Sequence, residues 1–80
     1  MANHRVGGSA AKNLTELGRL CAEHGDPAEG ERLLRLTMLT HPHYEPACFY
    51  LAMHLYSHGQ VEEALPLLER VLPSIRRQPI

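Results

Sequence analysis

Residues 25–34 read GDPAEGERLL, and residues 59–68, which lie 34 positions further along the chain, read GQVEEALPLL. Both stretches begin with a glycine (Gly25 and Gly59), carry Glu and a small residue at their fifth and sixth positions, and end in Leu-Leu. Similarity at one fixed spacing of this size is typical of proteins built from repeated supersecondary units. Positions that lie 34 residues apart are therefore treated as equivalent in the rest of the chain.

Apolar residues recur at three- and four-residue steps through most of the chain, which is the pattern of amphipathic helices. Ser9 is a plausible N-cap for the first helix, and Pro42 stops the second. Pro66 is expected to kink the fourth helix slightly or to fray its start, and Pro73 to end it, although residues 74–77 could add one more turn. The four predicted helices cover about residues 10–24, 27–40, 45–58 and 61–73.

The turn between the first two helices has the strongest local signals. Gly25 suits the left-handed conformation just past a helix end. Asp26 is placed as an N-cap, Pro27 as the first helical residue, and Glu29 as the partner that completes a capping box. Because so short a turn leaves no room for another path, the two helices must form an antiparallel hairpin.

The period also divides the chain into parts. We expect a disordered N-terminal arm over residues 1–8, because it has two glycines and no apolar period. A single domain follows over residues 9–77, with repeat one at about 10–43 and repeat two at about 44–77. Residues 78–80 are expected to form a tail.

The helix pairs carry a recognisable pattern of bulky and small residues. In repeat one it reads Leu14-x2-Leu17-Gly18-x2-Cys21, then Gly30-x3-Leu34, then Pro42, and in repeat two Cys48-x2-Leu51-Ala52-x2-Leu55, then Ala64-x3-Leu68. This resembles the tetratricopeptide repeat. The resemblance implies an all-α fold of two tandem helix-turn-helix hairpins, four antiparallel helices that form a short α-solenoid. The alternative is a generic four-helix bundle whose halves are similar by chance.

Composition excludes several classes of function. The 8 basic and 9 acidic residues give a net charge of -1, so no basic surface would attract nucleic acid. No apolar run is long enough to span a membrane, and the first residues lack an apolar stretch for export. We therefore expect a cytoplasmic protein in which Cys21 and Cys48 are buried free thiols.

Catalytic and metal sites are not expected. His54 and His58 have the spacing that places two imidazoles on one helical face, but no third ligand is apparent, so metal binding is only a remote alternative. Ser57 and His58 are adjacent on a helix and therefore point in different directions, which does not make a catalytic dyad. The sequence predicts no enzyme activity, no cofactor and no metal.

The resemblance implies instead that the first helix of each pair lines a concave groove for a protein or peptide partner. The third helix is apolar nearly all round and carries three of the four aromatic residues, which are typical anchors of binding surfaces. Asparagines that would clamp a peptide carboxylate are missing, so an apolar ligand fits better. The predicted groove residues are Lys12, Thr15, Glu16 and Arg19 from the first helix, and Phe49, Tyr50, Met53 and Tyr56 from the third.

Two repeats without a capping helix leave apolar surface uncovered. On the fourth helix, Val61, Leu65, Leu68 and Leu72 are expected to cover the third. A two-fold homodimer would bury what remains, and the alternative is a small chaperone-like or assembly subunit that a different protein caps. The predicted oligomer interface consists of Leu33, Leu36, Leu67, Val71 and Ile75, with Leu39 beside it.

Overall fold

The computed structural model describes residues 6–77, and it describes side chains for residues 10–73. Within this part the chain forms helices only. Successive helices run antiparallel and are joined by short turns, which confirms the all-α fold of two hairpins. The helices are α1 (Val6–Glu23), α2 (Pro27–Thr40), α3 (Glu45–Ser57) and α4 (Val61–Arg77).

The N-terminus of α1 lies earlier than the sequence predicts. The helix begins at Val6, so residues 6–8 of the expected arm are helical and Ser9 lies inside the first turn, where it is not an N-cap. The first N–H groups of a helix have no partner within the helix. Gly7 and Gly8, both poor helix formers, therefore fall where few helical hydrogen bonds depend on them. Residues 1–5 and 78–80 lie outside the described part.

Proline does not end α4. The helix continues through Pro66 and Pro73 to Arg77, so the end predicted at Pro73 is wrong. The proline ring holds φ near the helical value, and its cost is one hydrogen bond and a contact with the preceding turn. Both prolines lie on exposed positions, where water can bind the carbonyl groups that lose their partner.

The ends of the other helices follow the sequence closely. Gly25 and Gly59 adopt positive φ values of 102° and 82° just after α1 and α3. The side chain of Asp26 accepts a hydrogen bond from the backbone N–H of Glu29 at 3.3 Å, as an N-cap does. The Glu29 carboxylate accepts hydrogen bonds from Arg32 at 2.9 and 2.7 Å, in place of the predicted return bond of a capping box.

Small residues let the two helices of each hairpin approach closely. A Cβ atom added to Gly30 would lie 2.6 Å from the carbonyl oxygen of Gly18 and 2.7 Å from the backbone nitrogen of Ala22. The first hairpin is therefore in contact backbone to backbone. The second hairpin has Ala52 and Ala64 at the equivalent positions, and both are fully buried.

The two repeats share one core at the contact between α2 and α3. Leu34, Leu51 and Leu55 form a buried cluster with Ala64, and Met38, Tyr50 and Leu67 pack around it. An ion-pair bridge adds to the joint, because the Arg35 guanidinium lies 2.8 Å from Glu31 on its own helix and 2.7 Å from Glu63 on α4. The repeats are therefore joined by both apolar packing and charge.

The rotation of α4 differs from the prediction. Ala64 and Val71 are buried and Leu67 is half-buried against the core, whereas Val61, Leu65 and Leu72 are exposed. The apolar stripe expected to cover α3 thus lies largely on the surface. The physical reason is the small residue Ala64, which allows close approach only if its own side of the helix faces α3.

Candidate protein-binding surface

The first helices of the two hairpins, α1 and α3, run parallel and come together along one side of the molecule. The Arg19 guanidinium lies over the Tyr50 ring, with 5.9 Å between its carbon and the ring centroid. A cavity of about 300 Å³ opens between these helices. It is lined by Arg19, Ala22, Glu23, Leu34, Tyr50, Met53, His54, Ser57 and His58. This side is called the α1–α3 face below.

An exposed apolar stripe runs along α3 beside this cavity. Phe49, Met53 and Tyr56 follow one another at steps of four and three residues, and all three side chains are exposed. Tyr50 is half-buried and makes an edge-on contact with Phe49, with ring centroids 5.6 Å apart. The opposite side of α3 is buried in the core, so the stripe is apolar surface that no described part of the chain covers.

The charged residues of α1 mostly satisfy one another. Arg19 donates hydrogen bonds to Glu16 at 2.8 Å and to Glu23 at 3.1 Å, and these two carboxylates, Glu16 first, raise the pKa of its guanidinium. Lys12 is exposed one helical turn before Glu16. Because Arg19 already holds two carboxylates, it is poorly placed to clamp the carboxylate of a ligand.

Thr15 does not lie on the surface where the sequence places it. Its side chain is 2% exposed, and its Oγ1 atom has no hydrogen-bond partner within the part of the chain that the structure describes. A ligand on the α1–α3 face would contact the residues around it first. Thr15 therefore has a place in the packing beneath this face.

Two histidines, His54 and His58, also line the cavity, and their spacing in the sequence indicated no more than a remote metal pair. The rings of His54 and His58 lie 4.3 Å apart, and His54 Nε2 is 3.2 Å from a Glu31 oxygen. Among residues 6–77, no group of three or more His, Cys, Asp or Glu side chains could hold a metal ion. The i, i+4 spacing that suggested a metal pair is also what places the two rings side by side at this cavity.

The family model for the tetratricopeptide repeat matches residues 22–79. This chain belongs to the tetratricopeptide repeat family. Tetratricopeptide repeats are typically protein–protein interaction modules without catalytic activity. Searches of curated proteins and of solved structures gave no match. No helix in the described range is long and apolar enough to cross a membrane.

The oligomer interface predicted for this tetratricopeptide chain is only partly available. Leu33 and Val71 are buried within the single chain, so the expectation that they need a cover is wrong. Leu67 is half-buried against the core. Of the predicted interface residues whose side chains are described, Leu36 is the one that is exposed. The side chain of Ile75 lies outside the described residues. The physical reason for the burial of Leu33 and Val71 is the close hairpin packing, in which α4 turns its Ala64 and Val71 side toward the core.

The cysteines of this tetratricopeptide chain are both free. Cys48 is buried, its Sγ lies 3.4 Å from the carbonyl oxygen of Leu67, and burial raises the pKa of its thiol. Cys21 is half-buried where the sequence predicts full burial. A thiol with a raised pKa is a poor nucleophile at neutral pH, so Cys48 acts as a core residue.

Proposed function

We propose that this chain is a non-enzymatic adaptor that binds a protein or peptide segment on the α1–α3 face. The exposed stripe of Phe49, Met53 and Tyr56 carries the proposal. Contiguous exposed apolar surface is typical of interaction sites, and aromatic and Met side chains supply much of the binding energy at such sites. The family to which the chain belongs supports this class of function.

The charges of the face indicate the chemistry of the partner. Glu16 and Glu23 are paired with Arg19, so these three side chains leave one negative charge, which Lys12 offsets one turn away. A face with so little net charge gives no electrostatic preference for a strongly acidic or basic ligand. We therefore propose a partner segment with apolar anchors and little net charge, which fits the cavity of about 300 Å³ beside Tyr50 and Met53.

A displayed library of random peptides tests this binding surface. Peptides selected on the wild-type chain should share apolar or aromatic residues at regular spacing. Their affinity, measured by fluorescence polarisation, should fall at least about tenfold when Met53 and Tyr56 are both replaced by alanine, since two anchors would lose their contacts. The helicity of the variant should remain unchanged, because both side chains are exposed.

The matched control is Leu39→Ala, which removes an exposed leucine on α2, away from the α1–α3 face. It should leave peptide affinity unchanged. Selected peptides that bind the Met53 and Tyr56 variant as tightly as the wild type would contradict the proposal. So would selected peptides that bind mainly through acidic or basic residues.

Self-association is the second part of the proposal. Exposed leucines on α1 and α4, among them Leu17 and Leu65, support a homo-oligomer, for which the sequence predicts a dimer. The alternative is a chaperone-like subunit of a hetero-complex, whose partner supplies the cap. Light scattering separates them, since a well-folded monomer at micromolar concentration would contradict the homo-oligomer.

We also place the protein in the cytoplasm, and the free, buried thiol of Cys48 supports this location.

A further inference from the structure

The exposed large apolar side chains fall into three groups by position. One is the stripe on α3, and a second is Leu36 and Leu39 on the outer side of α2. The third group lies on the outer sides of α1 and α4, which no other helix within residues 6–77 covers. It consists of Leu17 and Leu20 on α1 and of Val61, Leu65 and Leu72 on α4.

The contact between α2 and α3 shows how a second helix of this repeat meets the first helix of the next. From α2, Leu34 joins the buried cluster with Leu51 and Leu55 of α3. Across this contact His54 Nε2 lies 3.2 Å from Glu31 Oε1, and beside it Arg35 of α2 forms an ion pair with Glu63 of α4 at 2.7 Å. We call this contact the internal junction.

Because the repeat is 34 residues long, each side of the internal junction has equivalent positions on an outer helix, α4 or α1. Adding 34 positions carries the α2 side, Glu31, Leu34 and Met38, onto Leu65, Leu68 and Leu72 of α4. Leu65 is 50% exposed, Leu72 is exposed and Leu68 is half-buried. The outer side of α4 therefore has the form of a surface that receives an α3-like helix.

The same transfer in the other direction describes α1. Subtracting 34 positions carries Leu51 and His54 of α3 onto Leu17 and Leu20. Leu17 is exposed and Leu20 is 42% exposed. The outer side of α1 thus corresponds to the α3 side of the internal junction.

The decisive observation is how the polar pair changes at the ends. Inside the molecule, the charged Glu31 pairs with Arg35 on its own helix and meets His54 across the junction. At the ends, the residue equivalent to Glu31 is Leu65 and the residue equivalent to His54 is Leu20. Both members of the pair have changed from polar to leucine. The two ends are therefore apolar complements of each other at this pair of positions, and α1 and α4 are not in contact within residues 6–77 of one chain.

We propose that copies of this chain associate head to tail, with α1 of one copy packed on α4 of the next as α3 packs on α2. Such an interface joins two different surfaces, so it is heterologous and does not close after two copies as the predicted two-fold dimer would. The inference rests on the proposed self-association and is independent of peptide binding on the α1–α3 face.

A mixing experiment with two single variants tests the arrangement. Leu20→Glu should block the α1 end and Leu65→Glu the α4 end, because each would bury a carboxylate against leucine. In sedimentation velocity the wild type should grow with concentration beyond a dimer. Each variant alone should associate at least tenfold more weakly. An equimolar mixture should form a dimer and stop there, since one intact α1 end and one intact α4 end remain.

A second variant reproduces the internal junction at the ends. The double variant Leu20→His with Leu65→Glu has the same polar pair as His54 and Glu31, so it should regain the concentration-dependent growth that Leu65→Glu alone loses. The matched control is Leu39→Glu, at the outer side of α2, where the leucine is 80% exposed. It should associate as the wild type does.

Three results would overturn the head-to-tail arrangement: a wild type that stays monomeric, a mixture that associates no better than its parts, or a Leu39→Glu variant that dissociates. Circular dichroism confirms that each variant is folded. Peptide binding by the blocked variants separates the two proposals, because the Met53 stripe stays intact in both. Loss of assembly with retained peptide binding supports each proposal by itself.

Discussion

The two repeats solve the same packing problem with different side chains. The hairpin of α1 and α2 closes on Gly18 and Gly30, whose backbones touch, whereas that of α3 and α4 closes on Ala52 and Ala64, with both methyl groups fully buried. The second hairpin must leave space for two methyl groups that the first excludes. The comparison shows that the repeat fixes the position of the closest approach, while the size of the residues sets its distance.

The repeats also differ in how well their central leucine is covered. Leu34 is 1% exposed, because α3 packs on it from the next repeat. Leu68, 34 positions later, is half-buried, because none of the helices described within residues 6–77 packs on the outer side of α4. Equivalent leucines therefore lie in the core in repeat one and at the edge of the core in repeat two. This indicates that stability is concentrated at the internal junction.

Alanine substitution of the two leucines should show the largest difference between the repeats. Leu34→Ala removes a fully covered side chain and should lower the free energy of unfolding by about 3 kcal/mol. Leu68→Ala should cost about 1 kcal/mol, since water already reaches part of that side chain. Urea unfolding followed by circular dichroism measures both. Equal losses would contradict the picture of a core concentrated at the internal junction.

Exchanging the small residues should give the next effect. Gly30→Ala improves helix propensity by about 1 kcal/mol, yet it should destabilise the chain by about 2 kcal/mol, because the new methyl group meets backbone atoms of α1. The reciprocal change, Ala64→Gly, should cost about 1 kcal/mol through propensity and a small cavity. Thermal unfolding of both variants checks the signs. A stabilised Gly30→Ala chain would show that the first hairpin can open to the spacing of the second.

The glycines that end α1 and α3 should behave alike. Gly25 and Gly59 both have positive φ, and no atom lies within 4 Å of an added Cβ at either position. Alanine should therefore cost about 1 kcal/mol at each site, from backbone strain alone. Thermal unfolding of the two single variants makes the comparison. A much larger loss at one of them would mean that the turns of the two repeats are not equivalent.

Acid should weaken the interactions of the Glu31 carboxylate with Arg35 and His54. The equivalent of Glu31 in repeat two is Leu65, which cannot form them. Arg35, and to a smaller extent His54, holds the pKa of the Glu31 carboxyl below its usual range. A lowered pKa stabilises the folded chain above the unfolded pKa of about 4.3, and this contribution is lost as pH falls below that value and through the folded pKa. Arg35→Met should cost under about 1 kcal/mol at pH 7, because these groups are partly solvated.

Urea unfolding between pH 6 and pH 3 measures this linkage. The wild type should lose more stability over that range than Arg35→Met does. Leu65, which replaces Glu31 in repeat two, cannot titrate, so Leu65→Ala provides the matched control and should keep the wild-type pH slope. If the free energy of unfolding changes with pH equally in the wild type and in Arg35→Met, the ion pair of Glu31 with Arg35 does not contribute to the pH dependence.

The sequence was sufficient for the features that depend on neighbouring residues. The positive φ of Gly25, the cap at Asp26 and the four helices follow from local chemistry, and the 34-residue period gives their arrangement. The exposure of Met53 and Tyr56 also agrees with the predicted binding surface, although their role stays a prediction.

The remaining features depend on contacts that a pattern does not contain. On α4, two apolar stripes share the helix, and periodicity alone gives no reason to prefer Leu67 to Leu65 as the inner residue. Thr15 is buried although its hydroxyl favours the surface, because its position on α1 is enclosed by neighbouring helices. Pro73 lies in a helix since its exposed position tolerates the loss of a hydrogen bond.

The contacts of the described chain follow the order of its helices. Each helix packs on its neighbour in the chain, α1 also meets α3, and α1 and α4 do not meet within residues 6–77. Contacts between segments that are close in sequence need only short loops to close, and such chains fold in about a millisecond or less. The contacts within each hairpin are therefore local, and the internal junction, with Leu34 at its centre, decides whether the two hairpins fold as one cooperative unit.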